Sequence, residues 1–175
     1  MSHIEKITGE LRALMTGIER AQGLAAAVDS QAQEVALRAA AAGFLAVAAG
    51  MARVRSTITA IQGDLGSLSG AIGEATKAAA AVPHEATTQE TISGLTPVQS
   101  AVVSARDATA GAITQVGEAQ QLVTMILRGG QPGSLLQALD NIKQVLVLVV
   151  QRTGVARQSV EAAIAEARQL GSSGS

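Results

Sequence analysis

Apolar positions recur along the chain at alternating steps of three and four residues, the spacing that gathers side chains onto one face of an α-helix turned toward a partner helix. The first stripe comprises Ile4, Ile7, Leu11, Leu14, Ile18, Ala21, Ala25, Val28, Ala32, Val35, Ala39 and Ala42. A second stripe then runs in a different register, through Phe44, Val47, Met51, Val54, Ile58, Ile61, Leu65, Leu68, Ile72, Ala75, Ala79 and Val82. The phase change falls at Gly43, which can adopt the left-handed conformation that ends a helix, with Phe44 as the accompanying apolar contact. We therefore place a turn near 43. Two other readings stay open: a turn at Asp29 and Ser30, where Ser30 with Gln33 resembles a capping box, and one long helix with a stutter near 43.

Residues 83–96, PHEATTQETISGLT, interrupt the periodicity between Pro83 and Gly94. Thr87 with Glu90 forms a capping-box pattern, so this connector is expected to hold a short helix over 88–93 that stops at Gly94. Thr96, Pro97 and Gln99 then read as the cap, first position and third position of a new helix. Its stripe is Val98, Val102, Ala105, Thr109, Ala112, Val116, Ala119, Val123 and Ile126. RGGQPGS at 128–134 reads as a stop and turn, with Ser134 capping a last helix that carries Leu135, Leu139, Ile142, Leu146, Val149, Thr153, Ala156, Val160, Ala163, Ala167 and Leu170. GSSGS at 171–175 reads as a flexible tail.

The expected organisation is a first helical hairpin over 1–82, a connector over 83–96, a second hairpin over 97–170 with its turn at 129–134, and the tail. Short turns imply antiparallel neighbours, so the fold expected is all-α: an elongated antiparallel four-helix bundle, or a coiled coil, of two tandem helical hairpins, each helix ~45 to 60 Å long.

Composition changes this picture in one respect. Hydrophobic residues make up 47% of the 175 residues but aromatics only 1%, a single Phe44, so the core must be built from alanine, valine, leucine and isoleucine. Charge narrows the partners: 13 basic and 14 acidic residues are scattered without a basic block able to neutralise a row of phosphates, which argues against nucleic acid. There is no cysteine, hence no disulfide or thiolate chemistry. The polar start MSHIEKITGE carries no signal-peptide pattern, and the expected location is the cytoplasm. AAAAGFLAVAAGMA and VLVLVV, bounded by Arg38 and Arg53 and by Lys143 and Arg152, fall short of the ~20 residues of a membrane span, so no transmembrane segment is expected.

Candidate chemistry is sparse. His3 and His84 lack a second histidine at zinc-ligand spacing, and His84 beside Glu85 has no accompanying oxyanion hole. Asp29 with Glu34 and Glu161 with Glu166 lie near arginine or lysine and read as solubilising charges. RGGQPG is not followed by the Lys-Ser/Thr of a phosphate-binding loop. No enzyme, cofactor or metal is expected.

Two anomalies point instead to contact surfaces. GDLGSLSGAIGEA places Gly63, Gly66, Gly70 and Gly73 within three turns of helix, each glycine costing roughly 0.5 to 1 kcal/mol relative to alanine. With Leu65 and Leu68 at core positions, these glycines fall on the opposite side, as a ridge that lets another helix approach closely; Gly43 and Gly50 are small residues on another flank. QVLVLVVQ at 144–151 is apolar all round, so Val147, Leu148 and Val150 need a second cover, which is either an interface or the other three helices of the bundle.

GMARVR at 50–55, PHEATTQETISGLTPVQSAV at 83–102 and GGQPGSLLQALDNIKQVLVLVVQRTGVARQSVEAAIAEARQLG at 129–171 are similar to a family of uncharacterised, all-helical actinobacterial proteins. That resemblance implies an all-helical fold and no activity or site. The tandem hairpin also resembles the helical hairpin substrates of type VII secretion, but the Trp-x-Gly turn of those proteins is missing, as the chain has no tryptophan. The function expected is a non-enzymatic structural or interaction protein that self-associates, or docks a partner helical protein, through alanine- and glycine-rich faces. The alternative is an amphipathic binder of granule or lipid surfaces, or a secreted helical hairpin effector.

Overall fold

Four long helices account for the fold of the computed structural model, which describes residues 2–130 and 132–174. They are α1 (His3–Ala41), α2 (Leu45–Ala80), α3 (Thr88–Ile126) and α4 (Gly133–Ser173), with no strand among the described residues. Their 36 to 41 residues correspond to about 54–62 Å each. Helices consecutive in the chain pack side by side, and α4 closes the ring on α1; α1 with α3 and α2 with α4 stand diagonally, with no close approach of their backbones. The result is an up-down-up-down four-helix bundle of two hairpins. Both hairpin turns lie at one end, and the α2–α3 connector and both chain ends lie at the other.

The stripes form the core. Ile7, Leu11, Leu14 and Ile18 of α1, Ile58, Ile61, Leu65 and Ile72 of α2, Val98 and Val116 of α3, and Leu139, Ile142 and Leu146 of α4 are all fully buried. Alanine fills much of the remainder, including Ala21, Ala25, Ala32, Ala79, Ala119 and Ala156. Polar residues enter the stripe only where they satisfy themselves. Buried Thr109 donates to the Ala105 carbonyl at 2.6 Å, and Thr153 to that of Val150 at 2.5 Å.

The first turn is set by Gly43 at φ +83°. Its N–H donates to Ala40 O at 3.1 Å and the Phe44 N–H to Ala39 O at 2.8 Å, the paired bonds of a Schellman ending. α1 runs unbroken through Asp29 and Ser30. Phe44 departs from its place at the head of the second stripe: it is the N-cap of α2 and 63% exposed, because the core begins only at half-buried Val47 and buried Met51.

The connector departs further from the sequence pattern. No helix ends at Gly94 and none begins at Pro97; α3 is continuous from Thr88, so the 83–96 connector shrinks to the residues between Ala80 and Thr88. The capping box that starts it is complete, with Glu90 N–H on Thr87 Oγ1 at 3.1 Å and Thr87 N–H on Glu90 Oε2 at 2.9 Å. Thr96 caps nothing, and its hydroxyl donates back to Ile92 O at 2.7 Å. Pro97 removes one helical hydrogen bond, yet fully buried Leu95 and Val98 hold the helix together on either side of it. Gly94 serves packing: a Cβ there would lie 2.6 Å from Val82 Cγ2.

At the second turn α3 ends at Ile126, Gly129 takes φ +85°, and Gly130 N–H donates to Leu127 O at 2.9 Å. Ser134 is not the cap of α4, whose N-cap is Pro132; it lies in the first turn, where its hydroxyl accepts from Gln31 Nε2 of α1 at 3.1 Å. The tail is also corrected, because α4 stays helical to Ser173, and a Cβ at Gly171 would lie 2.9 Å from Thr88 Cγ2. Met1 of the first hairpin, Gln131 of the second turn and Ser175 of the tail lie outside the described residues.

Candidate functional site

The glycine run lies on the outer side of α2. Gly63, Gly66 and Gly70 are exposed, and a Cβ added at any of them would meet nothing within 4 Å. Gly73 stands apart from them. It is half-buried on the flank facing α1, where a Cβ would lie 3.8 Å from Met15 Cε, and neighbouring Ser69 donates to Met15 Sδ at 3.3 Å. The open ridge is therefore three glycines long. Toward α3 it continues into a shallow groove of 430 Å³ bordered by Ser67, Ala71, Ser104, Ala108 and Gly111. The Gln115 side-chain oxygen is buried in that border without a hydrogen-bond partner among the described residues.

VLVLVV divides between inside and outside. Val145, Leu146 and Val149 are buried against the bundle, Val150 is half-buried, and Val147 and Leu148 are 39% and 55% exposed. Val155, seven residues beyond Leu148 and so on the same face, is also exposed. α4 is buried more widely than its stripe alone implies, through Val145, Ser159 and Ile164. Its most apolar 18-residue window has a mean hydropathy of 1.3, enough by length and composition to cross a membrane, with a third of that window buried in the bundle. The two candidate surfaces are not brought together: α2 and α4 are the diagonal pair, so the glycine ridge and Val147 with Leu148 face away from each other.

Four other glycines do make room inside the bundle. A Cβ at Gly17 would lie 2.8 Å from Val149 Cγ2, and one at Gly50 would lie 2.7, 2.8 and 3.0 Å from three atoms of Ile126. Gly17 thus admits a close approach of α1 to α4 and Gly50 one of α2 to α3, while Gly94 takes Val82 of the connector against α3 and Gly171 brings α4 against Thr88 at the start of α3. Charged groups add cross-links between helices. Arg55 meets Asp29 through Nε–Oδ1 at 3.1 Å and Nη2–Oδ2 at 3.3 Å, joining α2 to α1, and the Asp29 hydrogen bond and then its charge push the guanidinium pKa up. The other candidate carboxylates are likewise engaged: Glu34 with Arg38, Glu161 with Arg157, and Glu166 with His3. His84 is exposed in the connector. No group of three or more metal-capable side chains occurs among the described residues.

A third surface had no signal in the stripes. Between the two hairpin turns lies an open cleft of 780 Å³ with Val35, Ala39, Val47, Ile126 and Leu135 in its lining. Arg38, Arg128 and Glu34 border it, and Phe44 stands beside them. Leu37, Leu45 and Met125, at the same end of the rod, are 62–71% exposed.

Residues 86–172 match the family of unknown function DUF6244. No curated protein and no solved structure matches the chain. The DUF6244 segment takes in α3 and nearly all of α4, and with them Val147, Leu148 and Val150. The glycine ridge of α2 lies outside it. The turn-end cleft straddles the division, with its α3 and α4 walls inside the DUF6244 segment and its α1 and α2 walls outside.

Proposed function

We propose that this chain is a non-enzymatic interaction protein that self-associates by packing the exposed apolar face of α4 in one copy onto the glycine face of α2 in the next. The observation that supports this reading is a pair of unlike faces on diagonal helices: Val147, Leu148 and Val155 project from one side, and Gly63, Gly66 and Gly70 present backbone bare of side chains on the other. Burial of the aliphatic side chains supplies the affinity, at about 25 cal/mol per Å² of apolar surface, and the missing Cβ atoms allow the backbones to approach. No bond chemistry takes part. Because the two surfaces differ and face opposite ways, the contact is heterologous and repeats from copy to copy, so assembly proceeds as a stack of parallel-sided rods rather than a closed dimer.

Size-exclusion chromatography with light scattering over a dilution series tests this. The expected result is a mass that grows with concentration, and that falls to one chain, 17.6 kDa, in Leu148→Gln and in Gly66→Leu, each with unchanged far-UV circular dichroism. A concentration-independent monomer in the parent chain refutes the proposal. A closed dimer untouched by either substitution refutes the assigned faces.

A further inference from the structure

The turn-end cleft combines an apolar trough with an unbalanced rim. Glu34 and Arg38 form a loose pair at 4.0 Å, whereas Arg128 has no acidic partner among the described residues, so the rim carries one excess positive charge. α2 and α4, which both begin at this end, have no side-chain cap and no acid in their first turn, unlike α1 and α3, so no first-turn carboxylate on either helix offsets that charge. At 780 Å³ the cleft falls within the range of pockets that hold small molecules, about 300–1,000 Å³.

We propose that the cleft binds one linear carboxylate amphiphile, a free fatty acid, with its tail along Val47, Ile126 and Leu135 and its carboxylate on Arg128. A guanidinium pairs with a carboxylate through two parallel hydrogen bonds, and the trough takes the methylene chain out of water. Charge selects a single molecule over an anionic membrane. The whole chain carries a net charge of −1 and this end only one unpaired arginine, too little to hold a charged lipid surface. The site lies wholly within one copy and does not depend on self-association.

Isothermal titration calorimetry of the full chain with sodium dodecanoate, kept below its micelle concentration, tests the assignment, with dodecyltrimethylammonium as the same tail of opposite charge. Expected are saturable one-to-one binding of dodecanoate and at least tenfold weaker binding of the cation. Arg128→Gln is expected to weaken dodecanoate about tenfold. Ala42→Phe, at an exposed position that borders the cleft, is expected to abolish saturable binding without loss of helicity. Equal binding of the two amphiphiles overturns the proposal, as does dodecanoate binding that neither substitution changes. Flotation with phosphatidylglycerol vesicles in the absence of saturable dodecanoate binding overturns it in favour of a lipid surface.

Discussion

Replacing Gly63, Gly66 and Gly70 together by alanine is expected to stabilise the monomeric bundle, while Gly50→Ala alone is expected to destabilise it. All four glycines are helical and pay the same backbone entropy, so the difference lies in the surroundings. At each of the three exposed positions the new methyl meets open space, leaving only the helix-propensity gain of about 0.5–1 kcal/mol per site. The sites are neighbours on one face, but none of the three methyls meets another group, so the gains sum to roughly 1.5–3 kcal/mol. For a chain of this size that raises Tm by about 3–12 °C. At Gly50 the methyl would sit 2.7–3.0 Å from Cγ1, Cδ1 and Cγ2 of Ile126, a β-branched side chain with little freedom to turn aside. Overpacking of this kind costs about 1–3 kcal/mol, which matches or exceeds the propensity gain of about 0.5–1 kcal/mol. Circular dichroism at 222 nm during urea and thermal unfolding is the suitable assay, since the chain has neither tryptophan nor tyrosine to fluoresce. The protein is held dilute enough to scatter as one chain. A triple variant less stable than the parent, or a Gly50→Ala variant more stable, refutes the reasoning.

Two further outcomes follow from the same structure. Pro97→Ala returns an N–H to α3 at an exposed position and is expected to raise stability by about 1–3 kcal/mol in urea unfolding, with unchanged helicity at the α3 start. Thr87→Ala removes the acceptor of the capping box and is expected to lower stability by about 1 kcal/mol, with accelerated amide exchange in the first turn of α3 as the local readout.

The helical stripes were legible because burial in a bundle is set by period alone: every member from Ile7 to Ala32 on α1 is buried or half-buried, and Val98 to Val123 on α3 is buried throughout. Local punctuation was a poorer guide. Thr96-Pro97 carries a helix-start pattern, yet whether a helix restarts there depends on Leu95 and Val98 facing the same core, which is tertiary information. Ser134 likewise has the chemistry of a cap but is drawn to Gln31, 103 residues away. Of the surface residues, Gly63, Gly66 and Gly70 face outward as the heptad register implies, whereas Gly73 is turned toward Met15 by the α1–α2 seam. Gly17 gave no signal, and Gly50 stood out only as a small residue on a flank, because the atoms that need their space, on Val149 and Ile126, belong to other helices. The turn-end cleft was hidden for the same reason: its two walls come from turns about 85 residues apart in the chain.

The ring of neighbours also orders events in time. Three of the four seams join helices consecutive in the chain, so each hairpin zips through short loop closures, and a topology so rich in local contacts is one that folds in microseconds to milliseconds. Only the α1–α4 seam spans the chain, and it alone must wait for a closure of more than a hundred residues. Gly17 against Val149 and Gln31 against Ser134 are the contacts that report on that last step. A methyl at Gly17 therefore acts chiefly on how fast the finished ring reopens, leaving the zipping of the hairpins unchanged.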